Sequence, residues 1–129
     1  MNSINIGKFI VNKLRNSEEL SSYIDETDIA PIFMHEDRTL PYIVFYRNKI
    51  TPSFKKGGAY EEDVDMFLNI YSEDYEESCE IASIVCKLFN NIEDGEYGVS
   101  LMRLVSVEED FNLNSNSYQQ TLNFNIKTN

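Results

Sequence analysis

Residues 60–71 read Tyr-Glu-Glu-Asp-Val-Asp-Met-Phe-Leu-Asn-Ile-Tyr. Every second side chain from Val64 to Ile70 is apolar, a period of two that is typical of a β-strand with one face in a core. The earlier run 42–46, Tyr-Ile-Val-Phe-Tyr, is β-branched and aromatic throughout, as in a strand covered on both faces near its start. Residues 51–59 contain a proline and two glycines, which indicate a loop. The sequence therefore predicts a long hairpin.

A helix is predicted on each side of this hairpin. The first 15 residues carry apolar side chains at spacings of three and four, which predict an amphipathic helix with one buried stripe: Ile6, Phe9, Ile10 and Leu14. After the hairpin, Ser72 is the expected N-cap of a second helix, because its hydroxyl can accept a backbone N–H bond. Apolar side chains then recur from Tyr75 to Phe89 and give this helix a wide face to lay on a sheet.

Three more strands complete the expected fold. Residues 29–34 indicate a short strand, and residues 99–107 a longer one with Val99, Leu101, Val105 and Val107 on one face. Residues 118–127 have the strictest alternation, with Tyr118, Leu122, Phe124 and Ile126 directed inward. The segment 112–116 between the last two strands is rich in asparagine, which tolerates the left-handed backbone of turns. The order predicts one α+β domain over residues 1–129, a largely antiparallel four- to five-stranded sheet with two main helices packed on it.

The negative charge is concentrated in one third of the chain. Twelve of the 22 carboxylates lie between Gly57 and Met102, where Lys87 is the only base, so this third accounts for the net charge of −11. Nucleic-acid affinity depends on Lys and Arg that displace counterions from phosphates. We therefore expect no tight direct binding to nucleic acid. Solvated acidic faces that keep the protein soluble explain the same charges.

No membrane segment and no disulfide are expected. The longest apolar run, residues 42–46, is about a quarter of the ~20 residues that span a bilayer. The first 16 residues likewise lack the apolar core of a signal peptide. Cys79 and Cys86 lie seven residues apart in the second predicted helix, about 10.5 Å along its axis, beyond the reach of a disulfide. A reduced intracellular compartment fits this spacing.

The residues that usually carry catalysis or bind zinc are scarce. Nucleophilic catalysis needs a nucleophile, a base and an orienting group, and the chain has one histidine, His35, in a polar loop. Cys79 and Cys86 lack the two-residue gap of zinc knuckles, and their place on the apolar stripe suits small hydrophobic side chains. We therefore expect neither an enzyme nor a zinc site.

Cation and nucleotide sites are not indicated either. The acidic run 61–65 could hold a hard cation, but it lacks the glycine and the twelfth-position glutamate of a calcium loop. Outward acids on a strand explain it more simply. Gly57 and Gly58 join two strands and do not lead into a helix as a phosphate-binding loop does. With no metal and no cofactor expected, the sequence indicates a protein that acts through its surfaces.

Four segments carry a resemblance to a known family. They read Ala-Pro-Ile-Phe at residues 30–33, Leu-Pro-Tyr-Ile-Val-Phe-Tyr at 40–46, Leu-Asn-Ile-Tyr-Ser at 68–72 and Tyr-Glu-Glu-Ser-Cys-Glu-Ile-Ala at 75–82. In element order and spacing, over nearly the whole chain, this arrangement resembles the tail-terminator or tail-completion (head-tail joining) proteins of long-tailed bacteriophages. The motifs that carry the resemblance are structural.

The resemblance implies a protomer that assembles into a ring in the virion. Such a ring, which we expect to be hexameric, caps the tail tube, stops its polymerisation and joins the tube to a head-completion protein. The implied partners are thus other copies of this chain, the tail tube protein and the head-completion protein. The resemblance also implies that DNA passes through the ring and that assembly takes place in the host cytoplasm. The family has no catalytic residues to transfer to this chain.

The candidate interface is the loop that joins the hairpin strands together with the acids that follow it. A basic tip at residues 51–59 could meet the acidic region 61–80 of a neighbour or the tube beneath. An ordinary hairpin loop is the alternative interpretation. The side chains we assign to this interface are Phe54, Lys55, Lys56, Glu61, Glu62 and Asp63.

Two other functions remain open at this point. An acidic inhibitor or adaptor that imitates DNA would use the same net charge to occupy a basic groove, and it would need carboxylates spaced like phosphates on one continuous face. A small enzyme would need a concave site around His35. Oligomeric state separates the first of these from a ring-forming protein.

Overall fold

The computed structural model describes residues 2–35, 38–54 and 60–129. The helical segments are a 3-10 helix at Asn2–Asn5, α1 (Ile6–Arg15), α2 (Glu18–Ser21), a second 3-10 helix at Glu26–Asp28, and α3 (Tyr75–Phe89). The strands are β1 (Ile29–Pro31), β2 (Tyr42–Phe54), β3 (Tyr60–Ser72), β4 (Ile92–Asp94), β5 (Val99–Asn112) and β6 (Ser117–Thr128). None of the described helices is long and apolar enough to cross a membrane.

The strands form one mixed sheet in the order β1-β2-β3-β6-β5-β4. The predicted hairpin is confirmed as β2 and β3, and the α+β class holds. The predicted sheet of four to five largely antiparallel strands is wrong, because the sheet has six strands and β1 runs parallel to β2. The additional strand is β4, in a segment expected to be only a turn after α3. β4 has three residues, too few to show a strand period.

The helices cover one face of this sheet, here called the inner face. Phe89 of α3 is fully buried between the helices and this face. The ring centroid of Phe89 lies 6.1 Å from that of Phe9 in α1 and 5.8 Å from that of Phe124 in β6. Both ring pairs meet edge to face, the favourable arrangement for aromatic quadrupoles. Around them lie the buried side chains of three neighbouring strands: Ile43, Phe45, Val64, Met66, Leu68, Ile70, Leu122 and Ile126. The opposite face of the sheet, here called the outer face, carries the alternate residues of the same strands.

The predicted face of β5 is wrong. Val99 and Met102 are both buried, although they were expected on opposite faces, and Val105 is exposed. The pairing of β5 with β6 shifts between Val99 and Leu101 and again between Leu104 and Ser106. Each irregularity changes which side chains share a face, so a strict period of two fails across it.

The start of α3 also differs from the expectation. Asp74 is its N-cap, and the Asp74 Oδ2 atom accepts a bond of 3.3 Å from the backbone N–H of Glu77. The Ser72 hydroxyl, the expected cap, instead accepts from the N–H of Asp74 at 3.1 Å and donates to the Glu77 carboxylate at 2.7 Å. Ser72 therefore supports the cap from two residues upstream.

Candidate interaction surfaces

The β2–β3 hairpin carries the predicted interface at its distal end. Phe54 pairs with Tyr60 across the hairpin, and the Phe54 side chain is 77% exposed. An exposed aromatic side chain at the end of a long hairpin is available for a contact with another surface. Lys55 and Lys56, which were assigned to the same interface, lie outside the described residues.

The acids that follow Phe54 divide between the two faces of β3. Glu62 faces inward and is 1% exposed, and its carboxylate accepts a hydrogen bond from the Ser3 hydroxyl. Glu61 and Asp63 face outward with the alternate residues of the strand. The structure therefore does not bring the three predicted acids together on one surface.

Glu61 and Asp63 form ion pairs within the chain. The Lys127 ammonium of β6 lies 3.0 Å from a carboxylate oxygen of Asp63 and 3.5 Å from one of Glu61. The hydrogen bond to Asp63 is the main reason that the pKa of Lys127 is raised. Burial opposes the shift, and the Asp63 charge and the hydrogen bond and charge of Glu61 add to it. A partner that approaches this part of the outer face meets a cation together with these acids.

Polar side chains continue along the outer face between β3 and β6. The Asn123 amide donates to Asp65 at 2.7 Å, and the Asp65 carboxylate also accepts from Asn48 of β2 at 2.9 Å. Further along, Asn69 accepts from the Thr121 hydroxyl at 2.9 Å and from the Gln119 amide at 3.3 Å. These bonds join neighbouring strands through side chains in addition to the backbone ladder.

Aromatic pairs lie on the outer face near the edge of the sheet. Tyr46 of β2 stacks on Phe67 of β3 with ring centroids 5.3 Å apart, and Tyr42 lies 5.0 Å from Tyr71. Burial raises the pKa of both Tyr42 and Tyr71, and a hydrogen bond from Ser115 opposes the shift at Tyr42. These rings form the aromatic part of a surface that is otherwise polar.

A cleft of about 750 Å³ opens beside the Tyr42–Tyr71 pair. Its walls come from the segment after β1, including the exposed Phe33 side chain, and from the turn between β5 and β6. His35 lies here with its ring 5.6 Å from that of Phe33. Ring contact with Phe33 makes His35 part of an aromatic wall of this cleft.

The far end of the β5–β6 hairpin forms a second exposed apolar surface. On the inner face beyond α3, the Tyr118 ring meets Phe111 at 5.2 Å and Tyr75 at 5.6 Å, in edge-to-face pairs. Leu113 in the adjoining turn is 86% exposed. Sequence reasoning missed this surface because Tyr118 was expected to point into the core. The three acids that precede Phe111 indicate this exposure in the sequence, since a fully buried strand would not carry Glu108, Glu109 and Asp110 in succession.

The cysteines and the acidic groups do not form a metal site in the part of the chain that is described. Cys79 and Cys86 are both free thiols and half-buried, and burial raises the pKa of Cys86. Within residues 2–35, 38–54 and 60–129, no three His, Cys, Asp or Glu side chains are grouped to hold a metal ion.

The fold is shared with a protein of a virus-like particle. No family model and no curated protein matches the sequence. Among solved structures, a chain from the virion of a native gene transfer agent (GTA) particle has a similar fold, with a TM-score of 0.77 and 10% sequence identity. The likeness covers 92% of this chain and 90% of that chain. At this identity the likeness shows a common fold and no more.

Proposed function

We propose that this protein is a non-enzymatic structural component of a phage or phage-derived virion. The observation that carries the proposal is the fold it shares with a GTA virion chain over 92% of its length. Exposed apolar side chains at the ends of both hairpins, Phe54 and Leu113, add surfaces suited to contacts with other proteins. Localisation in the virion follows from this role.

In finer detail, we propose a ring that caps the tail tube and joins it to the head. The resemblance of residues 30–33, 40–46, 68–72 and 75–82 to tail terminators supports this role. A ring, proposed to be hexameric, needs a contact between two different surfaces of neighbouring protomers, repeated until the rotation closes. The ends of the two hairpins give each protomer two different surfaces for such a contact. The tail tube protein and a head-completion protein are the proposed neighbours, met in the host cytoplasm during assembly.

Charge has two proposed roles in this ring. The basic tip that includes Lys55 and Lys56 meets acids of residues 61–80 in a neighbour or the tube beneath. Carboxylates that face the lumen repel DNA and reduce its adhesion during passage. Reversing both lysines to glutamate tests the first role, because assembly at low salt that remains as efficient as wild type would contradict it.

The distribution of the acids favours assembly over DNA mimicry. A mimic needs carboxylates on one continuous face, whereas Glu62 is buried and Asp63 is paired with Lys127 on the outer face. The acids at the start of α3, including Asp74, lie on a helix that packs on the opposite side of the sheet. These groups cannot together imitate one phosphate backbone.

The test is deletion of this protein from cells that produce the particle, followed by electron microscopy of the tails. Overlong tubes are expected if the ring stops polymerisation, and normal tubes with unjoined heads if it acts mainly as a connector. Complementation with the wild-type chain is the positive control, and Phe89→Ala, which opens the core, is the matched negative control. Normal particles without the protein, together with its absence from purified wild-type particles, would refute the proposed function.

A further inference from the structure

Two stretches at opposite sides of the sheet lack a neighbouring strand. β1 pairs with β2 only at residues 43–45, and β4 pairs with β5 only between residues 99 and 102. Within the described chain, no strand pairs with the free side of residues 46–51, here the β2 edge, or of residues 105–110, here the β5 edge. Each edge can therefore accept a further strand.

Side-chain contacts at both ends of the β5 edge show which backbone groups face outward. The Asn90 side-chain oxygen Oδ1 accepts the Leu104 N–H at 3.0 Å, where β4 pairing has ended, and the Asp110 carboxylate accepts the Phe111 N–H at 2.8 Å. The backbone groups of successive strand residues point to alternate sides. The N–H groups of Val107 and Glu109 therefore face the same side as that of Phe111, away from β6.

The two edges are placed for contact between copies. β2, β3, β6 and β5 are antiparallel in turn, so β2 and β5 run in opposite directions. Each edge is the C-terminal part of its strand, so the edges lie at diagonally opposite corners of the sheet. A second copy that is displaced along the strands, without being turned over, brings its β2 edge antiparallel beside the β5 edge of the first.

The charges on the two edges oppose self-pairing and favour this pairing. Glu108 and Asp110 lie on the outer face of the β5 edge, since they pair with Thr121 and Gln119 of β6. In a symmetric contact between two β5 edges these acids would repel across the strands. Lys49 is exposed on the outer face of the β2 edge and brings the opposite charge to the same face. Pro52, which has no N–H, follows the β2 edge and is compatible with a position on the outside of a sheet.

We propose that the β5 edge of one copy pairs, antiparallel, with the β2 edge of the next, so that the sheets of neighbouring protomers are continuous. The occupant of each edge is a second copy of this chain. The contact is heterologous, and its repetition closes into a ring when the rotations between copies complete a turn. This inference rests on the proposed ring and names the surface that builds it.

The first test removes one outward donor. Val107→Pro deletes an N–H that faces away from β6, so the β5–β6 ladder is retained, whereas Val107→Thr keeps the donor and serves as the matched control. Sedimentation velocity on the full chain, up to millimolar concentration, measures assembly, and circular dichroism checks the fold. The expected result is assembly of wild type and Val107→Thr and a folded, monomeric Val107→Pro. A Val107→Pro chain that assembles like wild type, or a wild-type chain that stays monomeric throughout, would overturn the inference.

The second test uses exposed charges and does not depend on a proline being tolerated. Glu108→Lys and Lys49→Glu should each weaken association by about fivefold per interface, because each puts like charges in opposition. The variant that carries both changes should recover most of the wild-type association. A double variant no stronger than either single one would contradict the pairing.

Amide hydrogen exchange locates the contact directly. Peptides that cover residues 46–51 and 105–110 should exchange more slowly in the assembled protein than in the dilute monomer. Rings that form with protection elsewhere would refute this inference and leave the proposed ring intact. The proposed function is decided separately, by the presence of the protein in particles and by the deletion phenotype.

Discussion

The Ser3 hydroxyl donates a hydrogen bond to the carboxylate of Glu62, 59 residues later in the chain, and both residues are buried. The Thr128 hydroxyl lies 3.5 Å from the same Ser3 oxygen. The first 3-10 helix is thereby fastened to the adjacent strands β3 and β6. A buried carboxylate without such partners would be strongly destabilising, so Glu62 has a structural role although sequence reasoning assigned it to the interface.

Ser3→Ala should lower the free energy of unfolding by about 1.5–3 kcal/mol, because a buried charged acceptor loses a donor. Urea denaturation followed by circular dichroism measures the change. Ser22→Ala is the matched control, since the Ser22 hydroxyl bonds the Glu19 carbonyl at an exposed position. Equal stability of Ser3→Ala and wild type would show that Glu62 does not depend on this bond.

Phe89→Ala should destabilise the protein by about 3–5 kcal/mol, because it opens a cavity between the Phe9 and Phe124 rings. Leu113→Ala removes an apolar side chain from a turn position that is 86% exposed, and should change the free energy of unfolding by no more than about 0.5 kcal/mol. Denaturation curves of the two variants compare them directly. Similar losses in both would contradict the placement of the core.

Asp74→Ala should cost about 0.5–2 kcal/mol, because the N–H of Glu77 loses its cap. Asp74→Asn keeps a side-chain acceptor and should recover most of the loss. Thermal unfolding of the three proteins gives the order wild type, Asp74→Asn, Asp74→Ala. A stable Asp74→Ala variant would indicate that Ser72 can take over as the cap.

The phenol of Tyr75 should ionise at a higher pH than that of an ordinary tyrosine. Its hydrogen bond to Glu109, 2.8 Å long, is the main cause that raises the pKa of Tyr75 from 10.0 to about 12, with smaller contributions from Cys79. Because the folded state holds the proton more tightly, its contribution to stability is complete below about pH 10 and is lost as the pH rises towards 12. Difference absorbance at 295 nm between wild type and Tyr75→Phe follows this titration.

Glu109→Gln should move the pKa of Tyr75 back towards 10.0, since it removes the carboxylate that accepts the hydrogen bond from the phenol. Glu108→Gln is the control, because Glu108 lies on the opposite face of the same strand. An unchanged Tyr75 titration in Glu109→Gln would exclude the bond as the cause.

Long periodic segments were predictable from the sequence because their burial follows one rule along their length. Residues 60–71 form a strand within β3 and the apolar residues of 6–14 face the core, as the spacings of two and of three to four predict. The period failed in β5, where bulges near Leu101 and Val105 change the face. It also gave no indication of β4, whose three residues depend on tertiary pairing with β5.

The candidate site was predictable only in part. Exposure of Phe54 follows from its place in the Pro- and Gly-containing segment 51–59, and Phe54 is exposed, although residues 51–54 extend β2 and do not form the expected loop. The period of two places Glu62 on the same face as Val64, but it does not reveal the Ser3 hydroxyl that pairs with the Glu62 carboxylate there. The open parts of β2 and β5 likewise depend on how far the short strands β1 and β4 extend, which is decided by pairing across the sheet.

The position of β6 has a consequence for synthesis on the ribosome. β6 lies between β3 and β5, so a nascent chain that has reached residue 112 holds the sets β1-β2-β3 and β4-β5 with no strand to join them. At that stage β3 and β5 each have an unpaired strand edge that later pairs with β6. Unpaired strand edges are sites at which nascent chains aggregate. The two sets are joined only after residues 117–128 have been translated. A delay in translating this segment would therefore expose the nascent chain to aggregation.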